Sequence, residues 1–481
     1  MILAPLIPAK AGIQKQIVVA GLVPAIHVFL AFSALRRGCP AQGHQRPARI
    51  LLEKAHGVDS ASVQVVTNHL NMKRTNAVPH QNIVFHELLK QIPWARFDRL
   101  VEQHGAKRDR RGVDPRAHLI AMLLAQLQGA GGLREIEDHL KSHASKLYHI
   151  GGSPISKSTL ATANASRRAA EVFGGLLSAL MNQLQGSYRR KIKDCVRLID
   201  ATSVQLSSLS GDWAMFSAGV CGAKAHIIYD PDADQPLYLM VTPSNVNDIT
   251  AARQMPIEPG ATYVFDLGYY DYGWWAELDQ AGCRIVTRLK INTPFAVVEE
   301  RVVPSGSTVL SDRIGHLPGR LAASRRNPMS KLVREVRVVI ETGKQLRIFT
   351  NDLETSAQDI ADLYKRRWAI ELFFRWVKQT LKISHFFGTS ETAVRIQITV
   401  ALIAFLLLRL THEASRIVAS PLTFARLIKT NLMQRRSIGE LLKLVSPSPK
   451  HQTRFDFGPE TTRQAQHRRS RRAGLVISRA P

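Results

Sequence analysis

Apolar positions change rhythm along this chain, and each change predicts a different kind of structure. Over residues 84–188 they recur every three to four positions, as in Phe85, Leu88, Leu89 and Ile92, which predicts helices. Asp114-Pro115 gives an N-cap followed by proline at the first helical position. It opens a helix through Leu119, Leu123, Leu124 and Leu127, which Gly129, Gly131 and Gly132 end. Ser156 caps a further helix running from Lys157 toward Arg167-Arg168. Basic and hydroxyl residues at helix starts suit phosphate and groove contacts, although a plain helical bundle carries the same pattern.

From residue 195 the rhythm shortens to strands. Apolar runs at 195–199, 225–229, 237–241, 262–265 and 284–289 are stopped in turn by Asp200, Asp230-Pro231, Thr242-Pro243, Asp266 and polar residues. Helices are expected near 248–254 and 274–280, so the order is mixed α/β. Over 291–350, Val333, Val336, Val338 and Ile340 face Leu346, Ile348 and Phe349 across Thr342-Gly343, a β-hairpin within a β-rich insertion. A long amphipathic helix is expected over 357–383. The strongly apolar stretch 396–410 falls short of the roughly 20 residues that a membrane span needs. It carries Gln397, Thr399 and Arg409, and reads as a buried core helix.

Residues 1–71 follow neither rhythm. Pro5, Pro8, Pro24, Pro40 and Pro47 interrupt them, and residues 7–14 resemble peptides read from intergenic repeats. The expectation is that translation natively starts at Met72. The apolar stretch 17–35 follows Lys10 and Lys15, but Arg36-Arg37 replaces a small-residue cleavage site, so a signal peptide is disfavoured.

Charge changes the picture more than composition does. The chain has 481 residues, with Lys+Arg 65 against Asp+Glu 38, a formal net charge of +27. That excess favours a polyanionic partner through counterion release from phosphates. Cys39, Cys195, Cys221 and Cys283 are far apart, which disfavours a disulfide framework and a structural zinc site and suits a reducing cytoplasm. The last 33 residues, 449–481, carry eight Lys/Arg against two acids and read as a disordered basic tail.

The sharpest chemical signal lies in the 357–383 helix. Tyr364, Arg367, Glu371 and Lys378 fall within one stripe about 60° wide at 100° per residue, with Arg375 at its margin. Leu363, Ile370, Phe373, Phe374, Val377 and Leu381 fill the opposite arc. Taken alone, this is also the pattern of a solvated charged face. Asp200 and Asp266 add to it, since each follows an apolar strand. If those strands are neighbours, three carboxylates converge, and hard divalent cations are the natural way to hold them. Two such ions suit phosphodiester displacement. Weaker candidates are Lys224 and His226, read as edge-strand residues near the core, and Arg288 and Lys290 beside the DNA path. Trp274 and Trp275 are read as core packing before base stacking.

These residues resemble the DDE transposases of bacterial insertion sequences, in the group marked by a Y-(2)-R-(3)-E-(6)-K signature. Tyr364, Arg367, Glu371 and Lys378 match it at every position. Ile199-Asp200-Ala201-Thr202 and Asp266-Leu267-Gly268-Tyr269 resemble the two aspartate motifs. The likeness covers roughly residues 80–445. It implies a ribonuclease H-like mixed-sheet core (191–290 and 351–390) interrupted by the β-rich insertion (291–350). A helical DNA-binding region (72–190) precedes the core, and a helical C-terminal region (391–448) follows it. It further implies Asp200, Asp266 and Glu371 as catalytic ligands of two Mg²⁺ ions, with Mn²⁺ able to substitute. Tyr364, Arg367, Lys378, Arg375, Lys224 and Arg288 are expected at the DNA. The implied partners are double-stranded terminal inverted repeats and target DNA, engaged by a homodimer in the cytoplasm, at the nucleoid, without a membrane. Two other readings stay open: a related nuclease without strand transfer, and a transposase-derived DNA-binding regulator.

Overall fold

The computed structural model describes residues 19–20, 83–106, 112–185, 195–304, 306–322, 325–381, 385–415 and 419–443. The proposed start at Met72, most of the leader and the basic tail lie outside them. So does Cys39, whereas Cys195, Cys221 and Cys283 are buried.

The N-terminal helices form as their caps direct. Asp114 accepts hydrogen bonds from the backbone of Arg116 and Ala117 and opens helix α1 (Pro115–Gln128). Gly129, at φ 72°, closes it in the left-handed region where glycine alone is unstrained. Eleven residues of α1 are buried, so this helix belongs to the core. Ser156 caps the short helix Lys157–Asn164 by accepting from Thr159 N–H. Helix α2 (Arg167–Gln185) follows.

The centre of the molecule is a mixed sheet. Strands β1 (Val196–Leu206), β2 (Val220–Asp230) and β3 (Gln235–Pro243) form an antiparallel meander. Helix α3 (Asp248–Ala252) leads to β4 (Thr262–Val264), and helix α4 (Tyr272–Gln280) leads to β5 (Arg284–Arg288). Both β4 and β5 run parallel to β1, giving the order β3-β2-β1-β4-β5. The chain then continues through β6 (Ala296–Arg301), β7 (Val309–His316), β8 (Val333–Val339) and β9 (Gln345–Thr350). The hairpin expected from residues 333–349 is β8–β9, and it pairs with β5, extending the same sheet. Two leader residues, Val19–Ala20, pair with Tyr238 and Leu239 of β3.

Both sheet faces are covered, so the central strands are apolar on both sides. Leu198, Ala225, Ile227 and Val264 face the core shared with helices α5 (Ala357–Lys365), α6 (Trp368–Thr380) and α7 (Glu391–Ala414). Ile199, Ile228, Tyr263 and Phe265 face the opposite core, with Trp274 and Trp275 of α4. Those tryptophans are buried, as core packing requires. Trp275 stacks on Phe349 at 4.6 Å.

Helix α7 passes the length and hydropathy test for a membrane span, but 94% of its apolar window is buried inside the protein. Phe405 of α7 meets Phe373 at 5.1 Å and Trp376 at 5.0 Å, both edge-on, and Phe373 packs on Tyr229 of β2 at 4.9 Å. This aromatic chain sets the position of α6. Phe405→Ala is expected to destabilise the protein by about 3–5 kcal/mol, the usual range for a fully buried aromatic. A urea midpoint close to that of the parent would contradict the packing described.

Candidate active site

Asp200, the helix that carries Glu371, and the Lys224–His226 pair each sit differently from the expectation. Asp200 does not end its strand: β1 continues to Leu206, because Thr202, Ser203 and Gln205 keep their backbone pairing with β2. The helix expected over 357–383 is two helices, α5 and α6. At the joint, Arg367 N–H donates to Tyr364 O at 3.1 Å and Ala369 N–H to Arg366 O at 2.9 Å, three-residue bonds that tighten the turn. Lys224 and His226 lie on β2, paired on both sides and therefore not at an edge. His226 is fully buried.

Register brings the two aspartates together. Leu198 of β1 pairs with Val264 of the parallel strand β4. Two residues further along each chain are Asp200 and Asp266, on the side covered by α6. Asp266 leaves its strand as the cap of a short turn, accepting from Gly268 N at 2.8 Å. Thr287 of β5 donates to the Asp266 backbone oxygen at 3.4 Å. Behind the turn, the Tyr269 ring packs against Phe265 and Trp274, and Trp275 Nε1 donates to Tyr269 O at 3.0 Å.

Glu371 reaches the same region from the first turn of α6. Arg367 hydrogen-bonds Glu371 and lies 3.5 Å from Asp200 Oδ2, so one guanidinium links the strand acid to the helix acid. Among the described residues, no three His, Cys, Asp or Glu side chains stand close enough together to hold a metal ion in this arrangement. The fold brings the acids into one electrostatic neighbourhood, and Arg367 occupies part of it.

The electrostatics of Asp200 report that crowding. Burial first, then the charges of Asp266 and Glu371, push its carboxyl up to about 7, against the opposing effects of Arg367 and the Ala201 N–H bond. Tyr364, beside Arg367, is raised by burial, with Arg367 and Arg288 opposing.

The remaining predicted contacts divide into two sets. Lys378 is half-buried, donates to Ser203 O of β1 at 2.8 Å, and has its pKa lowered by burial. Arg375 lies over the half-exposed Trp368 ring at 5.8 Å. Both stand on α6 with Glu371. Lys290 sits over the Tyr270 ring at 4.7 Å. Lys224 is bound to Asp248 at 2.9 Å. Sequence reasoning read residue 248 only as part of a helix start. Its neighbourhood with Asp266 depends on how β3 and β4 are placed, which no local pattern records.

Acids on adjoining strands and a facing helix thus stand with Arg367, and Arg375 and Lys378 follow Glu371 on the same helix. Comparison with known proteins shows the family. Residues 191–407, which include all three acids, match the family model described as transposase DDE domain. Residues 80–153 match a domain of unknown function, DUF4372. A Sinorhizobium fredii protein bearing the name transposase y4zB is 40% identical over 305 residues, covering 62% of this chain and 84% of that one. The transposase for insertion sequence element IS231E of Bacillus thuringiensis subsp. finitimus is 23% identical, covering 44% of this chain and 55% of its own. The piggyBac transposase synaptic complex with hairpin DNA aligns over 84% of this chain and 86% of that one, at TM-score 0.37 and 10% identity. The chain belongs to the DDE transposases of insertion sequences, enzymes that cut and rejoin DNA.

The raised Asp200 carboxyl gives a measurable sign. An acid whose folded pKa lies above its unfolded value costs no stability when both states are protonated, and the full amount when both are ionised. In chelator, Asp200→Asn is therefore expected to match the parent near pH 4. It should become the more stable protein as pH rises to about 7, by roughly 2–4 kcal/mol. A constant difference across that window would contradict a raised Asp200.

Proposed function

We propose that this transposase cuts DNA at the terminal inverted repeats of its element and joins the ends to target DNA. The reaction is phosphodiester hydrolysis followed by transesterification, assisted by divalent metal ions. The observation that carries the reading is the register of β1 and β4, which puts Asp200 and Asp266 each two residues beyond the paired Leu198 and Val264, with Arg367 linking Asp200 to Glu371 of α6. The topology β3-β2-β1-β4-β5, with helices on both faces, supports a ribonuclease H-like core.

The donor set fits hard divalent cations. It consists of carboxylate oxygens, and burial first, then its acidic neighbours, drive Asp200 toward protonation, a cost that a bound cation would offset. Two Mg²⁺ ions, for which Mn²⁺ substitutes, would be held by Asp200, Asp266 and Glu371 and would supply activation of the attacking oxygen and stabilisation of the leaving one.

The chain's own cations divide the rest of the work. Arg367 compensates Asp200 and Glu371 before DNA arrives; once their charge is met otherwise, its guanidinium is free to take a phosphate bidentately. Tyr364 of α5 lies in the fields of both Arg367 and Arg288 of β5. Lys378 and Arg375, which follow Glu371 along α6, are assigned to the backbone of the transposon end. Two copies acting on paired repeats complete the reading, away from any membrane and at the nucleoid.

A supercoiled target plasmid with end-bearing donor DNA tests it. Insertion supports transposition, cleavage alone a nuclease, and binding alone a regulator. Asp200→Ala, Asp266→Ala or Glu371→Ala is expected to lower cutting by roughly 10³-fold or more while DNA affinity holds. Lys378→Ala is expected to reduce the slope of log affinity against log salt by about one. Parallel loss of binding and cutting in the acid variants would count against their assigned role.

A further inference from the structure

We infer that Asp248 is a positioning residue for Asp266, and that Lys224 is the charge partner of Asp248 and does not bind DNA. The inference rests on the reading of Asp266 as a metal ligand. Its starting point is Gly268. A Cβ placed on that glycine would lie 3.0 Å from Asp266 Oδ1 and 3.0 Å from Asp248 Oδ2. The two carboxylates thus close on one α-carbon from different elements, Asp266 from the end of β4 and Asp248 from the start of α3. The Gly268 N–H holds Asp266 Oδ1, and the Asp248 carboxylate backs the turn that presents it.

Two carboxylates this near repel each other unless one is compensated. Lys224 supplies the compensation. Its ammonium donates to Asp248 Oδ1 at 2.9 Å and to Val246 O at 3.0 Å, tying both the side chain and the loop before α3 to strand β2. No imidazolium shares this task. His226, two residues along the same strand, is fully buried, and its Nε2 pairs with Thr242 Oγ1 at 2.9 Å. Burial lowers its pKa to about 4, so its ring is neutral at pH 7. Its Nδ1 is buried without a hydrogen-bond partner, 3.9 Å from Asp248 Oδ1. The Tyr269 hydroxyl is likewise buried without a partner and lies within the fields of Asp200, Asp248 and Asp266. Lys224 is therefore the cation that lets a fourth carboxylate stand behind the site without repelling Asp266 out of place.

The test uses the full-length protein with Lys224→Met, Lys224→Arg and the double variant Lys224→Met/Asp248→Asn. Two quantities are read. One is the Mn²⁺ concentration that half-completes the rise in melting temperature, and the other is DNA affinity in chelator. Lys224→Met is expected to move the Mn²⁺ midpoint roughly 10–100-fold, the scale of losing an outer support of a metal ligand. DNA affinity should stay within about twofold. Lys224→Arg, which keeps the charge, and the double variant, which removes both charges, should return the midpoint to near the parent's. If Lys224→Met instead weakens DNA binding and leaves the Mn²⁺ midpoint unmoved, Lys224 is a phosphate contact and the inference fails. A double variant as impaired as the single one also overturns it. Asp266→Ala separates the two layers. If it leaves the Mn²⁺ response intact, the ligand assignment is wrong and this inference falls with it. If it abolishes the response while Lys224→Met is silent, only the positioning role is lost.

Discussion

Like charge held out of water is the constraint around which this protein is organised. Asp200 sits between a sheet and a helix, largely removed from solvent, with two further carboxylates in its field. Left alone, such a group takes up a proton or is pushed aside. Here Arg367 stands against it and binds Glu371 as well, so one cation offsets charge arriving from two separate elements. Arg367 stands one turn before Glu371, an i,i+4 pair at the start of α6, and from there its guanidinium also lies 3.5 Å from Asp200.

Keeping such a site together demands a rigid frame. The parallel pairing of β1 with β4 fixes which residues of the two strands stand level, and a slip of one residue would turn Asp200 to the opposite core. The helix acid is fixed by packing: Tyr229, Phe373, Phe405 and Trp376 form a continuous aromatic path from strand β2 through α6 to the buried helix α7. On the other face, Phe265, Tyr269, Trp274 and Trp275 hold the turn that carries Asp266. Each carboxylate is thus anchored by its own apolar cluster, and their relative position follows from the sheet between those clusters.

Much of this was legible in the chain itself, for local reasons. Asp114-Pro115, Gly129 and Ser156 act through bonds to their immediate neighbours, and the helices begin and end where those residues direct. The β8–β9 hairpin and the buried helix α7 announce themselves through periodicity and hydropathy. What depended on distant partners was misread. The polar half of β1 does not look like a strand until β2 is known to lie beside it, so the apolar run alone puts Asp200 at a strand end. Lys224 and His226 look like surface residues because their alternation is polar, yet a strand on each side and Asp248 from beyond β3 enclose them. The continuous 357–383 helix failed at Arg366-Arg367, where ion pairs to Asp232, Asp200 and Glu371 favour a tightened turn that helical periodicity does not encode.

The claim that a divalent ion sits among these three acids is most directly tested by affinity cleavage. Fe²⁺ is loaded in place of Mg²⁺, with ascorbate and peroxide generating hydroxyl radicals at the ion, and the backbone cuts are mapped by mass spectrometry. Cuts grouped around residues 200, 266 and 371, and suppressed by excess Mg²⁺, are the predicted result. Cuts at only one of those segments, or at sites that excess Mg²⁺ does not protect, would contradict the account.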